Sequence, residues 1–147
     1  MLNAIHLYRL SHWLYTHRVP ILPRICTMLI FLIYNSYIPA SAKIGAGTRF
    51  GYGGMGVVIH AKAVIGRNCV IGQQVTIGGR SRHPDVPTIG DNVYLAGGSK
   101  VLGPITLGND VVVGANAVVI KDVADNTVVA GVPAKVIRTG IKMEDFV

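Results

Sequence analysis

No acidic residue occurs before Asp85 in this 147-residue chain, while Arg9, Arg18, Arg24, Lys43, Arg49, Lys62, Arg67, Arg80 and Arg82 all fall in that stretch. All seven Asp and Glu lie in residues 85–147, against Lys100, Lys121, Lys135, Arg138 and Lys142. No carboxylate of the first half is therefore available to orient a catalytic base. A basic half suits a polyanionic partner such as a phosphate-bearing ligand or an anionic lipid. Nucleic acid is not an expected partner, because no basic run is interleaved with aromatics and no recognition motif appears. Aromatics are also scarce, at 7%, and charged residues make up only 14%. With 50% hydrophobic residues and a mean hydropathy of +0.47, disorder is excluded. The two cysteines, Cys26 and Cys69, can form neither a disulfide framework nor a four-ligand zinc site. They read as buried apolar filler in a reducing, cytoplasmic setting.

Long apolar runs are missing too. The longest is ICTMLIFLIY at 25–34, well short of the roughly 20 residues that span a bilayer. The opening, LNAIHLYRLSHWLYTHR, does not fit a signal peptide. It places Leu2, Ile5, Leu7, Leu10, Trp13 and Leu14 near helical spacing, with Asn3 as a cap and Pro20 as a stop. Two short helices are expected, over about 2–18 and 23–36, within an N-terminal cap of residues 1–37. Two roles are open for this cap. It can pack as a lid on the next domain, or it can make peripheral contact with an anionic membrane face, which basic, Trp-bearing amphipathic helices favour. His6, His12 and His17 read as packing or surface residues.

What the sequence has in abundance is a period of six. Ile44, Phe50, Ile59, Ile65, Ile71, Ile77, Ile89, Leu95, Val101, Leu107, Val113 and Val119 recur at hexad spacing, many followed by one of the 18 glycines. One inward aliphatic and one small residue per hexad mean a short strand and a sharp corner, repeated. Three strands make one coil of a triangular prism, and only stacking of coils buries the apolar faces. Residues 38–137 would supply five or six coils of such a parallel β-helix, a domain running over 38–147. TVVAGVPAKVIRTG, with Pro133 and Gly140, closes the far end. Two interruptions stand out. GYGGMGVV is three residues too long for one hexad, and GGRSRHPDVPT doubles the spacing between Ile77 and Ile89, with His83 at its midpoint. The second reads as an extruded loop, where function concentrates on rigid repeats.

These hexads resemble the hexapeptide-repeat acyltransferases, whose prism is left-handed. The segments AIHLYRLSHWLY, PASAKIGAG, QQVTIGGRSRHP, NVYLAGGSKVLGPITLGNDVVVGANAVVIKDV and AGVPAKVI resemble, more narrowly, the C-terminal half of bacterial serine acetyltransferases. The resemblance implies an acetyl-CoA-dependent O-acetyltransferase with acetyl-CoA as donor and no metal. The family's catalytic histidine and supporting aspartate are replaced at matching positions by Tyr52 or Gly53 and by Tyr37. Short chains with GYGGMGVVIH look like acetyltransferases of polysaccharide biosynthesis. A sugar or cell-surface polysaccharide precursor is therefore the expected acceptor, with serine as the alternative. A zinc enzyme would need three converging histidines, which the prism region lacks, and a non-catalytic scaffold would need neither the loop nor the AGVPAKV ending.

Acetyl transfer to a hydroxyl needs a base and donors for the oxyanion. His60, at a corner, is the expected base, and His83, on the loop, is expected to position the acceptor. Asp85 lies close enough in sequence to orient either one, and Tyr52, Arg82 and Asp85 are candidate acceptor contacts. Gly78, Gly79, Gly97 and Ala115 are small positions along which the CoA arm could lie. Lys100, Lys121, Lys135 and Arg138 could meet its phosphates. Flat aliphatic prism faces predict a homotrimer with sites between subunits.

Overall fold

The computed structural model describes residues 2–147. Helix α1 (Ala4–Thr16) starts at Asn3, whose side chain accepts from the Ile5 N–H at 3.1 Å. Helix α2 (Leu22–Tyr34) follows a turn through Pro20 and carries Pro23 in its first turn, where the missing N–H costs nothing. Against the expected 2–18 and 23–36, α1 begins after its Asn3 cap and ends two residues early, ahead of left-handed Arg18 (φ 57°). Helix α2 begins one residue earlier than expected and ends two earlier, where left-handed Asn35 (φ 54°) turns the chain out.

From Tyr37 the chain winds into a left-handed parallel β-helix. The first layer holds β1 (Lys43–Ile44) and β2 (Arg49–Phe50), and the second β3 (Val58–Ile59), β4 (Val64–Ile65) and β5 (Val70–Ile71). The third holds β6 (Thr76–Gly78), β7 (Thr88–Ile89) and β8 (Tyr94–Leu95). The fourth holds β9 (Lys100–Leu102), β10 (Thr106–Leu107) and β11 (Val112–Val113), and the fifth β12 (Val118–Val119) and β13 (Thr127–Ala130). Single bridges at Tyr37 and Val123 complete the first and last layers. The three faces are thus β3-β6-β9-β12, β1-β4-β7-β10 and β2-β5-β8-β11-β13. Coils end at Ala130, earlier than the repeat alone suggests. β14 (Lys135–Thr139) turns back antiparallel on β13 and closes the last layer's edge.

Register measures the two interruptions directly. Val58 pairs with Thr76 and Lys100 with Val118, each 18 residues on, as three hexads require. The offset grows to 21 between Lys43 and Val64, across GYGGMG, and to 24 between Val64 and Thr88, across 79–87. The inward residues of the repeat, such as Ile59, Ile71, Ile77, Leu95, Val101, Leu107 and Val113, are all fully buried. Cys26 and Cys69 are buried as well, and burial pushes the Cys69 thiol up.

One corner is held by a side-chain ladder that hexad reasoning does not foresee. Asp91 accepts from the Arg67 N–H at 2.7 Å, Asn109 from the Asp91 N–H at 2.8 Å, and Asp125 from the Asn109 N–H at 2.8 Å. Each carboxylate or amide reaches under the preceding layer, so a Cβ at Gly66 would stand 2.3 Å from Asp91 Oδ1 and 2.4 Å from the Gly90 carbonyl oxygen. The next residue of this corner takes left-handed φ in every layer, at Gly47, Asn68, Asn92, Asp110 and Asn126. Glycine and Asn or Asp are the residue types that tolerate it.

Helix α1 caps the first layer through polar contacts with open backbone groups. The Tyr8 hydroxyl donates to the Ala42 carbonyl and accepts from the Ile44 N–H at 3.2 Å. The Arg9 guanidinium donates to the Ile44 and Gly45 carbonyls, and Asn3 Nδ2 donates to the Phe50 carbonyl at 2.8 Å. His12 donates from Nδ1 to the Ala40 carbonyl at 2.7 Å and stacks on Tyr8. Burial pushes the Tyr8 hydroxyl up to about 12. Folded Tyr8 thus keeps a proton that the unfolded chain releases from its ordinary value of 10.0. Its contribution is complete below pH 10 and is lost as pH rises toward 12. Tyr8→Phe should cost about 1–3 kcal/mol, since it leaves the buried Ile44 N–H unpaired. Melting temperatures between pH 9 and 11 should fall more steeply for the wild type than for this variant.

Candidate active site

The corner between the first and second faces differs from the other two. His60, Ala61 and Lys62 occupy it in the second layer, the 79–87 loop in the third, Gly103 and Pro104 in the fourth, and Lys121 and Asp122 in the fifth. No left-handed Asn repeats here, and this is the corner where six extra residues leave the prism. Arg80 to His83 form a tight turn in which the His83 N–H donates to the Arg80 carbonyl at 3.0 Å. Arg82 takes φ 68°, an uncommon conformation for a side-chain-bearing residue. The Arg80 side chain lies over Gly103, 3.2 Å from where a Cβ would be. The turn lifts Arg82, His83 and Asp85 clear of the prism, all exposed.

His60 lies beneath the stem of this loop. Its backbone N–H donates to the Ile77 carbonyl at 2.8 Å, and its ring faces Gly79, whose added Cβ would be 3.9 Å from His60 Cδ2 and 3.8 Å from Val86. The ring is half-buried, and Nδ1 accepts from the Lys62 N–H at 3.1 Å. An accepting Nδ1 puts the proton of the neutral ring on Nε2. Held this way, His60 offers a donor through Nε2, not the free lone pair that a base needs. Asp85 does not supply the orienting contact expected of it, since it hydrogen-bonds neither histidine among the described residues. The side chain of His83 makes no hydrogen bond among the described residues, so both of its ring nitrogens are open.

An open cavity of about 380 Å³ adjoins the loop, lined by Lys62, Pro84, Asp85, Thr88, Pro104 and Thr106, among others. Lys62, Thr88 and Thr106 escape motif reading. Their signal is register, because Thr106 pairs with Thr88 on the second face and both side chains point outward beside the loop.

The expected cofactor positions divide between two edges of the first face. Gly78, Gly79 and Lys121 share the edge of His60 and His83. Gly97, Lys100 and Ala115 lie along the opposite edge, where Lys100 Nζ donates to the Gln74 and Gly98 carbonyls at 3.0 and 2.7 Å. Lys135 and Arg138 are exposed on β14. Tyr52 is exposed in the GYGG turn, also away from the loop. At Gly53, one of the two positions that match the family's histidine, φ is 74° and a Cβ would be 2.7 Å from the Leu2 carbonyl oxygen of the cap, so a side chain is excluded there. Tyr37 is half-exposed and bridges Val58. Among the described residues, no group of three or more His, Cys, Asp or Glu gathers as a metal site.

A left-handed prism with an extruded loop at one corner defines the class of hexapeptide-repeat transferases. Residues 87–121 match the family described as bacterial transferase hexapeptide (six repeats). Over 145 residues the chain is 39% identical to the serine acetyltransferase of Synechococcus elongatus, covering 97% of this chain and 59% of that protein. It is 38% identical to the serine acetyltransferase of Helicobacter pylori, covering 92% of this chain and 80% of that one. A solved serine acetyltransferase from Brucella abortus, in complex with coenzyme A, superposes with a TM-score of 0.88 at 33% identity, over 95% of this chain and 56% of that one. The chain belongs to the serine acetyltransferase-like family of hexapeptide-repeat acyltransferases. It spans less than two thirds of the Synechococcus protein's length.

The loop turn offers a direct structural check. Arg82→Gly removes the positive-φ cost of about 1 kcal/mol but adds unfolded-state entropy of about 0.5–1 kcal/mol. The two nearly cancel, so the melting temperature should stay close to wild type. A marked drop would show that the guanidinium itself holds the loop.

Proposed function

We propose that this chain transfers an acetyl group from acetyl-CoA to a hydroxyl acceptor, with the reaction at the corner shared by His60 and the 79–87 loop. The observation that carries this reading is that one corner of an acyltransferase prism carries both His60, with Nδ1 engaged, and the extruded loop that presents an unengaged His83. The acceptor oxygen attacks the thioester carbonyl as a base takes its proton. The C–O bond forms, the C–S bond breaks, and the CoA thiolate takes up that proton to leave as the thiol. The roles anticipated from the sequence are exchanged: His83, with both nitrogens open, is the base, and His60, protonated on Nε2, donates to the developing oxyanion. Lys62 and Arg82 add positive charge where anion develops or phosphate arrives.

Serine is the acceptor that the relatives' names support, and their CoA complexes support acetyl-CoA as donor. The sugar acceptor expected from the sequence finds no support in those names. It remains a second reading on one observation, the replacement of the family's histidine position by Tyr52 or Gly53, the latter sterically closed to a side chain, and of its aspartate position by Tyr37.

Release of free thiol from acetyl-CoA, measured with serine and with nucleotide sugars, tests both. Thiol release with serine alone selects the first reading and release with a sugar alone the second, while none with either rejects acetyl transfer. His83→Ala should lower kcat by about 10²–10⁴-fold. His60→Ala should lose about 10²–10³-fold, the cost of an oxyanion donor. His60→Gln, which can donate but cannot act as a base, should recover at least tenfold of that loss. Equal loss in the glutamine and alanine variants would return the base to His60.

The edge of His60 and the edge of Gly97 and Ala115 are separated by the first face, so one CoA reaches both only if neighbouring protomers bring different edges together. We infer a homotrimer on this ground. Light scattering at micromolar concentration should give about three times the 15.7 kDa chain mass, and a monomer mass would reject it.

A further inference from the structure

Helix α2 is held to the protein by few side chains, Pro23, Cys26 and Ile30. The rest of it is apolar and exposed: Ile25, Met28, Leu29, Phe31, Leu32 and Ile33 all stand in solvent, Leu32 at 67% exposure and Phe31 at 53%. Ile25, Met28, Leu29 and Leu32 follow i, i+3, i+4, i+7 spacing and so form one outward stripe. Ile21, exposed at the turn before the helix, and Trp13, exposed on α1, extend the same apolar character. An apolar helical face of this size is seldom left in water.

Charge decides which occupant fits. Arg18 and Arg24 are exposed at the turn between the helices and at the start of α2. No carboxylate exists anywhere in residues 1–84. A second copy laid against this face would bring Arg18 and Arg24 toward an equally basic cap with nothing to pair them. An anionic lipid surface supplies the opposite charge together with an apolar layer beneath it. The helix is also too short to do more than lie there. Its 13 residues rise about 20 Å at roughly 1.5 Å each, against about 30 Å of hydrocarbon, and no helix among the described residues is long and apolar enough to cross a membrane.

We propose that the outer face of α2, with Arg18 and Arg24 beside it, docks in the plane of an anionic membrane surface and holds the prism against it. The apolar stripe enters the headgroup–acyl boundary, and the arginines remain with the headgroup phosphates.

Flotation of the full chain with lipid vesicles tests this. Vesicles of phosphatidylcholine alone are compared with vesicles containing one part phosphatidylglycerol to three parts phosphatidylcholine, at low salt and in 0.5 M NaCl. The protein should float with the anionic vesicles, bind neutral ones at least tenfold more weakly, and lose most binding in high salt. Met28→Gln/Leu32→Gln should abolish binding to both vesicle types. Arg18→Gln/Arg24→Gln should weaken binding to the anionic vesicles alone by at least tenfold, at about 1 kcal/mol per basic residue. Both pairs are exposed, and circular dichroism checks that each variant is folded. Equal flotation with neutral vesicles, or binding untouched by Met28→Gln/Leu32→Gln, overturns the proposal. So does absence of flotation, including the case in which that same pair lowers the mass in light scattering, which would give the face to a second copy.

Discussion

Neighbouring turns of this prism are hydrogen-bonded residue to residue in parallel, and that register governs everything else in the molecule. The amide of Gly45 donates to Ile65, Gly66 to Ile89, Gly90 to Leu107 and Gly108 to Val123, each at 2.9 Å. A chain so constrained cannot absorb an extra residue inside a face, because one step of slippage would turn every aliphatic outward. Extra length has to leave at a corner. The six added residues at 79–87 do so at the corner where a side chain bonds between layers only beyond the loop, Asp122 accepting from the Thr106 N–H at 2.8 Å, and the loop that carries Arg82 and His83 is the result.

The same constraint explains the composition. An inward position shared by stacked layers has a fixed, narrow width, which Ile, Val and Leu fill, and Phe50 in the first layer is the one aromatic among the hexad positions. Asp91, Asn109 and Asp125 find a structural place where one corner exposes amides, which their side chains accept. The acidic residues therefore gather in the later coils, and the first coil is closed instead by the donors of α1. Arg9 satisfying two carbonyls and Asn3 a third make the basic cap a consequence of which backbone groups the first layer leaves open.

The architecture was legible because it is written as a period. Every hexad aliphatic from Ile44 to Val119 is buried, and both breaks in the period reappear as offsets in strand pairing. The helices were legible from Asn3 and Pro20. What could not be read was whatever depends on the angle of one turn against another. Gly78 and Gly97 both follow an inward aliphatic within two residues, yet three corners per coil put them on different edges. The antiparallel return of β14 was hidden because AGVPAKVIRT carries no period of its own. Thr88 and Thr106 look like solvent-facing strand residues until the loop is seen to rise beside them.

The two histidines show most sharply what sequence withholds. Spacing identified His60 and His83 as the prism's candidates and assigned the rigid one to proton abstraction, since rigidity favours precise catalysis. Yet rigidity here is imposed by the Lys62 N–H on Nδ1, and the same contact commits the ring's proton to Nε2. A firmly held imidazole of this tautomer can stabilise charge but cannot accept a proton without first giving up the bond that holds it. A carboxylate accepting from the Nδ1–H of an imidazole would hold the ring just as firmly and leave Nε2 free to take a proton. A chain with no carboxylate before Asp85 has no such partner for His60 in its own early coils. The proposed mechanism therefore takes its proton acceptor from a histidine whose ring is not already engaged. Only the extruded loop, free of the prism's register, provides one at this corner.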